Sequence, residues 1–139
     1  MIWFRRSIPL LLVLLLSLSC ARGYKQQKRP LTREEIGHVQ TVSEFTTATE
    51  QFQQKAPTDL SPSLEEFSEA VNRFYNATQR YGPGSLEARN EFNRVRFHAV
   101  RLDSVITAET YPDLIESWKT LRKDYVDHIG SELGYRIEQ

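Results

Sequence analysis

LSPSLEEFSEAVNRFYNATQRY, residues 60–81, carries its apolar side chains at Leu60, Leu64, Phe67, Val71, Phe74, Thr78 and Tyr81, spaced alternately by four and three residues. A helix turns once every 3.6 residues, so this spacing gathers them into a single stripe, the seam of a packed helix bundle. A strand would alternate with period two, and no such alternation occurs from Thr32 onward. The flanks agree with a helix. Ser61-Pro62 offers a cap followed by a proline in the first turn, where a missing N–H costs nothing, and Gly82-Pro83-Gly84 ends the run.

Working outward, the same logic finds three more helices. Ahead of the first, Thr32-Arg33-Glu34-Glu35 is a capping box, and Ile36, Val39, Val42, Phe45, Thr49 and Phe52 form its stripe up to Pro57. After Ser85 as cap, Ala88, Phe92, Val95, Ala99, Leu102 and Ile106 repeat the seam. Thr110-Tyr111-Pro112-Asp113 opens the last helix, whose stripe runs through Leu114, Ile115, Trp118, Leu121, Tyr125 and Ile129 to Leu133, with Gly130 and Gly134 permitting its end to fray. Four helices on short connections predict an all-α fold, an up-down-up-down antiparallel four-helix bundle over residues 32–139. Ala70, Ala77, Ala88 and Ala99 are small enough to interlock with Phe67, Phe74, Phe92 and Trp118.

The chain has 139 residues, no net formal charge and a single cysteine. One cysteine excludes an internal disulfide, so stability has to come from apolar burial. The N-terminus has the three zones of an export signal: basic Arg5 and Arg6, an apolar run from Ile8 to Leu16, and small residues at Ser17, Ser19 and Ala21. The run is too short for a permanent span, which takes about 20 apolar residues. Without this leader the chain keeps 16 basic against 18 acidic side chains, leaving no global field for nucleic acid.

The lone cysteine directly follows the apolar run, in Leu16-Ser17-Leu18-Ser19-Cys20, and this segment resembles the lipobox of bacterial lipoproteins. The resemblance covers the signal alone. It implies cleavage after Ser19, acylation of the Cys20 thiol and of the new amino terminus, and attachment to a cell-envelope membrane. With Ala21 following the cysteine, it further implies sorting to the periplasmic face of an outer membrane in a Gram-negative cell. Two or more acyl chains hold durably, at about 0.8 kcal/mol per buried methylene. Ordinary cleavage near Ser19 or Ala21, giving a secreted soluble helical protein, is the alternative. On the leading reading residues 1–19 are signal, residues 20–31 the lipidated cysteine and a basic tether, and the remainder the domain. Arg22, Lys25, Lys28 and Arg29 lie on that tether, which reads first as a solvated leash and otherwise as a contact with anionic head groups.

Chemistry is sparse. A nucleophile elbow, a phosphate-cradling glycine loop and a Cys-x-x-Cys-His haem site are absent, and Met1 is the only methionine. These absences predict a protein that is not an enzyme. A di-iron bundle needs two Glu-x-x-His motifs, and the chain has one, Glu35-Ile36-Gly37-His38. Antiparallel packing would bring His38, near the start of the first helix, beside His128, near the end of the last. Glu35, His38, Asp124 and His128 are therefore candidate ligands for zinc, which takes three or four imidazole or carboxylate donors. Arg89, Arg94, Arg96 and Arg101 line the third helix but alternate with Glu87, Glu91 and Asp103, which reads as a solvated, salt-bridged face.

By elimination, the sequence points to a non-enzymatic interaction module anchored in the cell envelope by lipid: an adaptor, a pilotin-like chaperone or a structural subunit with an envelope protein as partner. A periplasmic bundle binding metal or a small ligand, with no other cofactor implied, is its rival.

Overall fold

The computed structural model describes residues 29–135, and the signal, the lipobox-like segment and Cys20 lie outside the described residues. All regular structure among those residues is helical: α1 (Arg33–Lys55), a 3₁₀ turn (Thr58–Leu60), α2 (Ser61–Tyr81), α3 (Leu86–Val105), and a fourth rod made of α4 (Ile115–Leu121), a π-helical segment (Arg122–Asp127) and α5 (His128–Glu132). The all-α expectation is met with four rods. Helix α2 packs along α3 and α1 along α2, while the fourth rod meets α1 through α4 and α3 through the π-helical segment.

Each start has a local cause. At α1 the capping box forms in full: the Glu35 N–H donates to Thr32 Oγ1 at 3.2 Å and the Thr32 N–H to the Glu35 carboxylate at 3.5 Å. Arg29 clamps that carboxylate from outside at 2.8 and 3.1 Å. Ser85 caps α3, accepting from the Ala88 N–H at 3.1 Å. The start of α2 differs from expectation, because the 3₁₀ turn feeds straight into it: Leu60 occupies the cap position and Ser61 is already helical. The start of the fourth rod also moves inward, since Tyr111 and Leu114 are spent in turns and the α-helix begins only at Ile115.

The core follows the seams of α2 and α3 residue by residue: Leu64, Phe67, Val71, Phe74 and Thr78 on one side, Ala88, Phe92, Val95, Ala99 and Leu102 on the other, all buried. Phe74 meets Phe92 with ring centroids 5.0 Å apart, and Phe67 meets Trp118 at 5.4 Å. Thr49 and Thr78 can sit on these seams because their hydroxyls donate to the Phe45 and Tyr75 carbonyls one turn back, at 2.8 and 2.7 Å. Two stripe members are corrected. Ile36 is 48% exposed and Tyr81 40% exposed, each lying in an end turn that the neighbouring rods do not cover.

The fourth rod departs most. Its expected stripe used Tyr125, but the core residue is Val126, buried at 1% exposure, with Tyr125 only half-buried and stacked on Phe45 at 5.3 Å. The π-helical segment explains the shift. Wider turns place Val126, five residues after buried Leu121, where an α-helix would place the fourth.

The rod ends in a defined cap rather than in open turns. Gly134, at φ 63°, terminates it in a Schellman motif, with the Tyr135 N–H donating to the Gly130 carbonyl at 3.0 Å and the Gly134 N–H to that of Ser131 at 3.2 Å. Tyr135 then locks the end in place. Its ring packs on Phe92 at 5.0 Å and on Phe74 at 6.1 Å, and its hydroxyl donates to the Pro83 carbonyl in the α2–α3 turn.

Burial pushes the Tyr135 phenol up to about 12, with Arg89 opposing weakly. An unfolded tyrosine ionises near pH 10. Below pH 10 both states keep the proton and nothing changes; between pH 10 and about 12 only the unfolded chain releases it, so stability falls as pH rises through that window. Urea titrations at pH 8 and pH 11 are expected to show a larger loss for the wild type than for Tyr135→Phe. Equal losses would place the alkaline sensitivity elsewhere.

Candidate functional site

Two places bring chemically distinctive side chains together. The first is the end formed by the start of α1 and α5. His38 Nδ1 lies 3.7 Å from Glu132 Oε1, and His128 Nε2 lies 3.2 Å from Glu132 Oε2, so one carboxylate faces both histidines. Glu34 approaches His38 from the other side at 3.8 Å. Of the four zinc-ligand candidates, His38 and His128 are thus brought to one place. Glu35 is turned instead toward Arg29 and the Thr32 cap, and those two contacts hold its carboxyl below the ordinary range. No ion pair joins Asp124 to either histidine among the described residues. Glu132 was the residue that sequence reasoning missed. His128 has an acidic neighbour four residues away on each side, and only the approach of α1 selects the later one. Among the described residues no group of three or more histidine, cysteine, aspartate or glutamate side chains is arranged to hold a metal ion.

The second place is a groove of about 520 Å³ between α3 and the π-helical segment. Asn93, Phe97 and Val100 form one wall and Arg122, Val126 and Asp127 the other, with Arg96 between them. The lining is mainly apolar, and two of its large side chains are left to solvent: Phe97 is 60% exposed and Val100 58%. Groups of this size and exposure, adjacent on one helix, are what a protein surface ordinarily minimises. The opposite wall is the only π-helical stretch among the described residues, a geometry that recurs at functional sites because it trades backbone regularity for side-chain placement.

The charges of the groove are unequal in their satisfaction. Arg122 is fully engaged: its Nε meets both oxygens of Asp103 at 3.2 and 3.0 Å and its Nη1 meets Asp127 at 3.3 Å. The Trp118 indole N–H donates to the same Asp103 at 2.8 Å, which fixes the carboxylate. Arg96 is different. Far from lying on a solvated face, it crosses the Phe92 ring at 4.7 Å and donates through Nη2 to the Tyr135 carbonyl at 2.6 Å. Among the described residues its buried Nη1 has no hydrogen-bond partner and no carboxylate pairs with it. Burial and the nearby Arg122 charge pull its pKa below the usual arginine value, while Asp127 opposes them. Gly130 makes the arrangement possible, because a Cβ there would lie 2.5 Å from Arg96 Nη2.

No helix among the described residues is long and apolar enough to cross a membrane. The chain matches no protein-family model, no curated protein and no solved structure.

Proposed function

We propose that this chain is a lipid-anchored lipoprotein of the cell envelope, held through Cys20, whose helical domain is a non-enzymatic module that docks an envelope protein on the groove between α3 and the π-helical segment. The observation that carries the docking surface is the pair Phe97 and Val100, exposed side by side over an apolar groove. The anchor rests on the lipobox-like segment alone. The rods are proposed to run up-down-up-down, which the short connections between them favour.

The test is photocrosslinking in native membranes, with a benzophenone amino acid in place of Phe97 or, as a control, of exposed Gln51 in α1. A discrete protein adduct is expected at position 97 and none at 51. Adducts of equal yield and pattern at both positions would remove the groove as the docking surface. Intact-mass measurement of the mature chain tests the anchor separately, since absence of fatty acyl mass at Cys20 leaves a secreted soluble protein.

A second reading places a divalent ion such as zinc at the histidine end, and it is favoured by the meeting of His38 and His128 on Glu132. Calorimetric titration of the full chain with zinc is expected, on that reading, to show one equivalent bound at micromolar metal and a higher Tm with it. Heat without stoichiometry disposes of the reading.

A further inference from the structure

The groove has the shape and chemistry for one class of occupant. With no strand among the described residues there is no sheet edge for an extended peptide to join, so recognition has to come from side chains in a channel between two rods. That is the helix-in-groove mode, in which a partner helix lays its apolar face against the walls. Phe97, Val100 and Val126 supply those walls. The polar requirement comes from Arg96. A guanidinium offers five N–H donors, and here a carbonyl takes one edge while Nη1 is buried without an acceptor among the described residues. A buried donor left without a partner costs about 1–3 kcal/mol and more for a charged group, and an occupant that satisfies it recovers that free energy on binding. Arg122 makes no such demand, because Asp103 and Asp127 neutralise it.

We infer that the groove takes an amphipathic helix of a partner protein carrying a single carboxylate among its apolar residues, the carboxylate meeting the guanidinium of Arg96 while the flanking apolar side chains cover Phe97 and Val100. This rests on the docking reading above and specifies the partner. Arg96 already lines the groove, and on this inference its guanidinium turns outward on binding, exchanging the Tyr135 carbonyl for the partner carboxylate. The resulting ion pair is shielded from water by the two apolar rims, which makes it more specific than an exposed one. A lysine or amide at the same place on the partner helix leaves Arg96 opposed or only weakly satisfied.

The test is selection of a displayed library of amphipathic helices on the full chain. Selected helices are expected to fix aspartate or glutamate at one position, with apolar residues three and four positions away. Changing that acid to its amide should weaken binding at least about tenfold. Arg96→Met keeps the aliphatic packing on Phe92 and removes the charge, so it should abolish the difference between acid and amide, whereas Arg96→Lys should retain part of it. Phe97→Ser alters an exposed residue, leaves the fold intact and should weaken every selected helix. Helices that need Phe97 but show no acidic preference overturn the carboxylate inference while the docking groove stands. If no Phe97-dependent helix is selected, both fall. Concentration-dependent dimerisation abolished by Phe97→Ser would put a second copy of the chain in the groove and also overturn the inference.

Discussion

Trp118→Ala is expected to destabilise the domain by about 3–5 kcal/mol, the usual cost of emptying a large aromatic site that cannot collapse. Trp118 is 2% exposed and packs against Phe52 at 5.6 Å and Phe67 at 5.4 Å, so its removal leaves rings from α1 and α2 facing a void. Little of that void can close, because both rings are held by their own helices. A polar loss adds to it. The indole N–H is one of the groups that fix Asp103, which also receives Arg122, so the variant loosens the tie between α3 and the fourth rod at the wall of the groove. For a domain of this size each kcal/mol moves Tm by about 4–8 °C, so a fall of about 12 °C or more is expected in a thermal melt followed by circular dichroism. Trp118→Phe keeps most of the apolar volume and loses the N–H, and a drop of about 1–2 kcal/mol should separate the two contributions. A cost below about 1 kcal/mol for the alanine variant would show that the fourth rod does not close the core.

How much of this was legible in the sequence differs from rod to rod. For α2 and α3 the seam was readable to the residue, since an unbroken α-helix turns by the same angle at every step and the apolar residues fall into line. The fourth rod broke that premise. Tyr125 and Val126 are both apolar neighbours, and only a backbone that widens between Arg122 and Asp127 makes the second of them the core residue. Tyr135 lay beyond the last periodic position and is buried by a contact with the α2–α3 turn, 52 residues away in sequence, which no local pattern encodes. The histidine end was half legible: helix ends brought His38 and His128 to one place, but the carboxylate between them depends on how α1 approaches α5. The groove was the least legible. Arg96 has glutamates and other arginines around it in the chain and reads as a solvated charge. Its inward turn depends on the missing side chain of Gly130 in another rod.

Two identical substitutions should therefore have opposite signs. Gly37→Ala is expected to stabilise the domain by about 0.5–1 kcal/mol, because α1 is exposed there, an added methyl meets nothing within 4 Å, and alanine forgoes the extra chain entropy that glycine loses in a helix. Gly130→Ala gains the same propensity term, yet its new Cβ would stand 2.5 Å from Arg96 Nη2 and 3.2 Å from Phe92 Cε1. Arg96 can retreat only by giving up the Tyr135 carbonyl and its place over Phe92, and a hydrogen bond from a charged donor contributes about 1.5–3 kcal/mol. The Phe92 ring cannot retreat, being wholly buried between Phe74 and Tyr135. Overpacking of this kind costs about 1–3 kcal/mol, which exceeds the propensity gain, so a net loss of about 1–3 kcal/mol is expected in urea unfolding. If Gly130→Ala proved as stabilising as Gly37→Ala, Arg96 would not lie across the fourth rod, and the buried donor on which the carboxylate depends would be gone.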